Sequence, residues 1–390
     1  MKKKKVVVLG GGFAGVEAAI ELQKSKRFDV TLVSDRDYLF LYPISIWVPT
    51  KGIDYEKVKL PLSKIQRKFP FQLILDKVVS IQSASNTVQL QKQKLEYDYL
   101  VVAIGSDKMK PQGVENTHTI CGAPEANLSF TEKFQALVKQ GHGEIAIGFG
   151  GNPKDKSAVR GGPGFELIFN IHHYLKKKGL RDKFKLTFFA PMDDPGAKMG
   201  KSALKMLHTM FAKSDLHKAF GKKITGFEPN TVNFEDGSKL TADLIMFIAA
   251  GTGSKVFKDS DLPLSEAGFI SIDRECRVEG KDNVFAVGDS AALQGPDFVS
   301  KQGHLAEVMG RIAAHNIIEK ETGTQLYQNY IDHISILCVL DTGNAAAYVY
   351  RDTKKDYVIP MPIFGHWMKK GWGYYIKWSK TGKIPRLPGM

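Results

Sequence analysis

The sequence predicts an α/β fold with two Rossmann-like dinucleotide-binding domains, the first interrupted by the second. Three observations predict it. Residues 5–9 are a continuous apolar run that leads into Gly10-x-Gly12-x-x-Gly15. A second strand-and-helix pattern opens at residues 144–149. A further apolar run at 283–287 ends in Gly288-Asp289 and completes the pattern begun at Gly10.

Each element follows from its residues. The run at 5–9 lacks polar alternation, the mark of a strand buried on both faces in a parallel sheet. Residues 16–24 carry helical spacing, and 29–33 form a second apolar run. Together they make a β-α-β unit of about 30 residues. Segments 71–81 and 87–91 read as hairpin strands, and 97–104 as a buried strand ending at Gly105. The second region continues through a helix near 165–178 and a strand at 185–190. Strands are expected at 224–234 and 243–249, and a helix at 303–318. From about residue 325 the pattern changes to two strand-like runs, 334–340 and 345–350, and then a basic aromatic tail.

Composition narrows the class. A chain of 390 residues, 43% of them apolar, can form two or three domains of about 100–200 residues each. It is neither disordered nor fibrous in composition. Three cysteines are too few for a disulfide scaffold. No apolar stretch approaches the roughly 18 residues of a membrane span. Residues 1–5 give a charged start, but the apolar run behind them is too short for a signal peptide. A soluble or peripheral protein is expected.

The glycine loop sits in the context its chemistry needs. Gly10 permits the tight turn, Gly12 lets backbone approach a pyrophosphate, and Gly15 lets the helix pack on the strand. The N-terminus of the following helix offers free N–H groups and a favourable dipole to phosphate. Asp35 lies twenty residues after Gly15, placed to accept bonds from ribose hydroxyls. Ser34 is a neighbouring candidate.

The second half-site is altered. After residues 144–149 the chain reads Gly150-Gly151-Asn152-Pro153-Lys154-Asp155, with no second G-x-G-x-x-G. The next helix begins only near Gly162-Pro163. Such an inserted loop should not cradle a pyrophosphate, so NAD(P)H is disfavoured as electron donor.

The segments DYLVVAIG (98–105) and NVFAVGD (283–289) resemble the motifs of two-dinucleotide-fold flavoproteins. More specifically, the chain resembles the sulfide:quinone oxidoreductase family, with flavocytochrome c sulfide dehydrogenase more distant. The segments that carry the resemblance are DVTLVSDRDYLFLYP (29–43), Thr119-Ile120-Cys121, Gly162-Pro163-Gly164-Phe165-Glu166, Lys301-Gln302-Gly303, ISILCVLDTG (334–343) and WSKTGKIP (378–385). The resemblance implies FAD held by Gly10, Gly12, Gly15, Ser34, Asp35, Pro43, Val78, Gly105, Gly288, Asp289, Lys301 and Gly303. It implies FAD domain parts at 1–110 and 256–325, a second domain at 111–255, and a C-terminal membrane-contact region at 326–390. It also implies sulfide or a related sulfur species as donor and a quinone as acceptor.

The site residues carried over are Cys338, Cys121 and Glu166. Cys121 lies in the segment linked to covalent FAD attachment or sulfur handling, and Cys338 belongs to the catalytic pair. Glu166 is the expected proton acceptor, a task that a raised pKa would help. The family's middle cysteine would lie six residues before Glu166, where this chain has Arg160. Thiol–disulfide chemistry needs a pair, so the usual polysulfide-forming cycle is not expected in full. Arg160 could instead stabilise an anionic ligand or the reduced flavin. Each assignment has a plainer counterpart: a buried structural thiol at Cys338, a dipole-favoured acid at Glu166, solvated cations at Arg160 and Lys301. Cys276 reads as a surface or edge thiol. Two alternatives to the sulfide reading stay open, an NAD(P)H:quinone-type reductase and a catalytically altered flavin-bearing redox protein.

The formal net charge is +14, and residues 351–390 hold nine Lys/Arg against two Asp/Glu, half of the excess. Three of the four tryptophans lie there too. Phe364, Trp367, Met368, Trp372, Tyr375 and Ile376 recur near helical spacing, with Lys369, Lys370, Lys377 and Lys380 among them. Aromatics interleaved with lysines suit an anionic membrane surface better than nucleic acid. Gly371 and Gly373 suggest two short helices. The expected location is peripheral to the cytoplasmic membrane; a homo-oligomer stays open, since the same tail could form a dimer interface.

Overall fold

The computed structural model describes residues 3–362 and 364–387. Strand β1 (Lys4–Leu9) leads into helix α1 (Phe13–Lys24) and back through strand β2 (Phe28–Ser34). Strands β3 (Gln72–Leu75) and β4 (Tyr99–Val102) join the same sheet. Val6, Val7, Val8 and Leu9 are all buried, as a strand covered on both faces requires.

The second region holds β5 (Gly143–Phe149), helix α2 (Gly162–Lys177), β6 (Phe184–Ala190), β7 (His217–Phe220) and β8 (Leu244–Ile248). Its strands form a parallel sheet in the order β7-β6-β5-β8. The chain then returns to the first sheet. Strand β9 (Val284–Ala286) pairs in parallel with β4, giving the order β9-β4-β1-β2-β3. Helix α3 (Gly303–Thr322) follows and packs on α1. One parallel sheet is thus completed only after the other is finished, which is the α/β architecture that the sequence predicts. Three antiparallel strands, β10 (Ile336–Asp341), β11 (Ala345–Arg351) and β12 (Asp356–Pro362), precede the tail helix α4 (Phe364–Lys380). No described helix is long and apolar enough to cross a membrane.

Four expectations are corrected. Segment 71–81 is two strands: β3 edges the parallel sheet, and Val78–Gln82 leaves it to pair with Thr87–Leu90. The buried Asp76 marks the break, its carboxylate accepting from the backbone N–H groups of Lys77 (2.8 Å) and Lys92 (3.0 Å). Segment 224–234 is a hairpin that turns at Asn230, a left-handed position with φ of 60°. Cys276 is not a surface thiol. It is fully buried at a left-handed turn, where Asp273 Oδ1 accepts from the backbone of Glu275 and Arg277 at 2.9 Å. Finally, the tail is one helix, not two. Gly373 packs closely on Ile44: a Cβ there would lie 3.0 Å from Ile44 Cδ1.

The tail also buries more than its spacing suggested. Ile376 is 2% exposed, and Trp372 and Tyr375 pack against the core. The exposed aromatics are Phe364, Trp367, Tyr374 and Trp378.

Helices α1 and α3 approach so closely that a Cβ on Gly310 would collide with the Ala14 carbonyl. Gly310→Val should force them apart and cost about 1–3 kcal/mol, the usual range for overpacking. Chemical denaturation checks this; an unchanged midpoint and slope would contradict the close approach.

Candidate functional site

A single cavity of about 2140 Å³ opens at the carboxyl ends of both parallel sheets and reaches the tail helix. That is more than twice the upper end of the ordinary ligand-pocket range, about 1,000 Å³. It has room for a dinucleotide and a second molecule.

The first sheet supplies a cradle. Gly10 has φ of 110°, and a Cβ there would strike the Ala103 carbonyl. A Cβ on Gly15 would strike Gly10's own carbonyl oxygen. These two glycines make the turn and seat the helix. Gly12 differs: a Cβ there would meet nothing within 4 Å. It lines the cavity at the N-cap of α1 with no side-chain cap. The helix's first N–H groups and positive dipole end therefore face open space, the arrangement a pyrophosphate needs. Asp35, Pro43, Val78, Gly105, Gly288, Asp289 and Gly303 line the same cavity. Gly105 is tied to Ser290, its N–H donating to Oγ at 2.9 Å. Gly303 opens α3, whose N-cap Gln302 likewise leaves the helix start uncapped.

Two expected contacts lie elsewhere. Ser34 does not line the cavity. Its hydroxyl donates to the Arg36 carbonyl at 2.6 Å and accepts from the Arg36 N–H at 3.3 Å, so it shapes the turn that presents Asp35. Lys301 lines the cavity but turns away. Its ammonium donates to the Ala291 carbonyl and lies 3.9 Å from the Phe269 ring centroid. Burial pulls its pKa down to about 7.

The loop between β5 and α2 folds across the second half of the cavity. Asn152 Nδ2 donates to the Gly251 carbonyl at 2.8 Å, and the Lys301 N–H donates to the Ser157 carbonyl at 2.9 Å. The loop ends at Arg160, whose guanidinium pairs with Asp289 inside the cavity. Cys121 lies on the same wall and is buried. Burial raises its pKa, while Lys108 and Arg160 pull the other way. Burial and Arg160 in turn bring Lys108 down to about 8.

A second cluster stands toward the tail. Glu166 projects from the second turn of α2 and accepts from Lys369 of α4 and from the Asp341 backbone N–H at 2.9 Å. Burial pushes its carboxyl up, and Lys369 opposes that. Cys338 lies beside this pair on β10, lining the cavity with Trp372. Burial, reinforced by the Glu166 carboxylate, pushes its thiol up to about 12. Behind the pair, Asp341 accepts from Trp47 Nε1 at 3.0 Å and from the Gly343 N–H at 2.9 Å, and meets His366 Nδ1 at 2.7 Å.

The sequence matches the family profile described as pyridine nucleotide-disulphide oxidoreductase over residues 4–313. The chain belongs to this family. It is similar to the sulfide-quinone reductase of Aquifex aeolicus, at 28% identity over 98% of this chain and 92% of that protein. It is 25% identical to a type II NADH:quinone oxidoreductase of Staphylococcus epidermidis, over 89% of this chain and 90% of that one. Among solved structures it resembles the Aquifex aeolicus sulfide:quinone oxidoreductase, with a TM-score of 0.86 at 26% identity, covering 97% of this chain and 92% of that one. The protein is an FAD-dependent oxidoreductase.

Sequence reasoning missed the inward roles of Lys369 and Lys380. Both were read as headgroup lysines, yet each is only 5% exposed. The signal was their spacing of eleven residues, three helical turns, which puts both on one face of α4. Lys108 and the Asp341–His366 contact had no signal, because their partners are far apart in the chain.

At pH 8 a thiol with a pKa near 12 is almost wholly protonated, so Cys338 should alkylate far more slowly than a free cysteine. Its thiolate should gain ground only as pH approaches 12. Glu166→Gln removes the nearby carboxylate and leaves Lys369 as a lone cation, both of which favour thiolate. Alkylation at pH 8, followed by intact mass, should become at least about tenfold faster. An unchanged rate would show that Glu166 does not act on Cys338.

Proposed function

We propose that the protein passes electrons from sulfide, or a related small sulfur species, through FAD to a quinone at a membrane surface. The observation that carries this reading is the continuity of the cavity. It runs from the Gly12 cradle past Arg160 and Cys121 to Cys338, Glu166–Lys369 and Trp372. FAD, when bound, supplies the capacity to take two electrons from one partner and give them to another. The chain's own residues divide the remaining work. Gly12 and the α1 terminus bind pyrophosphate, and Asp35 takes ribose hydroxyls. Arg160 and Lys108 place positive charge beside Cys121, where an anionic sulfur donor would be held. Glu166, whose carboxyl burial pushes up against the pull of Lys369, can accept and pass on a proton at the tail end of the cavity, where quinone reduction consumes protons. Lys369 anchors that carboxyl.

The relatives named sulfide-quinone reductase and type II NADH:quinone oxidoreductase share quinone in their names and differ in the donor. Two features favour sulfur as donor here: Cys121 and Cys338 line one cavity, and the loop at 150–161, which also lines it, lacks a second glycine-rich phosphate motif. With Arg160 in place of a middle cysteine, a stored polysulfide on a cysteine pair is not part of the proposal. The second reading, NAD(P)H as donor, has one observation in its favour. Asp193 and Asp194 follow β6 and line the cavity, where a carboxylate could meet ribose.

The tail carries the membrane part of the proposal. Phe364, Trp367, Tyr374 and Trp378 are 69, 64, 58 and 47% exposed along one stripe of α4. Lys370 and Lys377 flank it, the composition of a helix lying in a headgroup layer. The lipid-dissolved quinone would enter beside Trp372.

Anaerobic mixing of the oxidised holoprotein with sulfide, and separately with NADH, tests the donor. Sulfide should bleach the flavin absorbance and NADH should not. Bleaching by NADH alone would overturn the sulfide reading in favour of the second one. A response to neither would leave a flavin-bearing redox protein that has lost this chemistry.

A further inference from the structure

Helix α4 has two working faces. The outer stripe is the exposed aromatic one. The inner stripe, Gly365, Lys369, Gly373, Ile376 and Lys380, is buried throughout. Its two lysines end on glutamates that line the cavity, Lys369 on Glu166 and Lys380 on Glu307, the latter at 2.6 Å.

Lys380 does more than contact Glu307. It also pairs with Glu17 of α1, a carboxylate only 3% exposed. Arg311 of α3 reaches Glu17 at 3.2 Å, and Arg386 reaches Glu17 at 2.8 Å and Glu21 at 2.9 Å. Burial alone would raise the Glu17 pKa, but these cations bring it to about 2. Three carboxylates (Glu17, Glu21, Glu307) thus meet four cations (Lys24, Lys380, Arg311, Arg386). Two of those cations belong to the tail. Without the tail, Glu17 would keep Arg311 alone and Glu307 would lose Lys380, and an uncompensated buried charge is strongly unfavourable. Helices α1 and α3 are the pair whose N-terminal ends face the cofactor site. Their packing therefore depends on a segment whose opposite face is exposed aromatic surface.

We propose that α4 is a strap coupling membrane docking to the cofactor site: a bilayer on its outer stripe holds its inner lysines on Glu166, Glu17 and Glu307, and so tightens α1 and α3 around the flavin cavity. The proposal rests on the membrane reading above and goes beyond it, because docking alone requires no effect outside α4.

Hydrogen–deuterium exchange of the full-chain holoprotein, with and without vesicles of phosphatidylglycerol and phosphatidylcholine, tests it. Sedimentation of the same samples reports binding. Vesicles should slow exchange in residues 364–380 and also, several-fold, in residues 13–24 and 303–322. The double variant Trp367→Ala/Trp378→Ala, altered only at exposed positions, should lose both effects and keep its lipid-free exchange. Lys380→Met should speed exchange about tenfold in 13–24 and 303–322 in the absence of lipid, and Lys380→Arg should restore most of the protection. Should Lys380→Met not fold, Arg386→Ala carries the same test with a smaller expected increase. Protection confined to 364–380 overturns the coupling and leaves membrane docking intact. No sedimentation with vesicles overturns both.

Discussion

The structure depends on backbone meeting backbone around helix α1. Gly15 lets the helix sit directly on the β1 turn, Gly10 lets that turn sit against the Ala103 backbone, and Gly310 lets α3 sit directly on the helix. None of these contacts tolerates a Cβ. What results is a rigid helix start with unpaired N–H groups aimed into a cavity, at the one glycine of the loop, Gly12, that has open space in front of it. The site is thus a by-product of packing. A fold that closes tightly behind the loop can leave it empty in front.

The same closeness creates an electrostatic demand. Two helices packed this tightly bury Glu17 and Glu307, whose charges call for cations beyond the Arg311 that α3 itself supplies. Two of those cations, Lys380 and Arg386, come from the other end of the chain. The tail is therefore part of the cofactor region's structure as well as its boundary. Glu166 repeats the pattern at the far end of the cavity, with Lys369 as its compensating cation.

Much of this was legible in the sequence. Strand β1 and the glycine loop declared themselves because local rules decide them: an apolar run, a turn, a helix start. Asp289 could be connected to Gly10 because β9 completes the first sheet. The failures have a common cause. Ser34 does not face the cavity because its hydroxyl has a competing local use, bonding the Arg36 backbone at the turn. The tail reads as two helices because glycine propensity favours a break, whereas Gly373 lies within one helix in close contact with Ile44. Lys369 and Lys380 were assigned to lipid because their partners lie more than 70 residues away in sequence, with Glu166, Glu17 and Glu307 invisible to local reading. Arg160 was seen as a departure from a cysteine pattern, but its ion pair with Asp289 could come only from the fold.

The central claim is that one continuous cavity serves the cofactor, the sulfur donor and the quinone. A structure of the holoprotein with a bound quinone analogue tests it most directly. The FAD pyrophosphate should lie over Gly12 at the start of α1, and the quinone ring between Cys338 and Trp372, within reach of Glu166. A quinone analogue seated instead among Asp193, Asp194 and Phe247, against the second sheet, would contradict it.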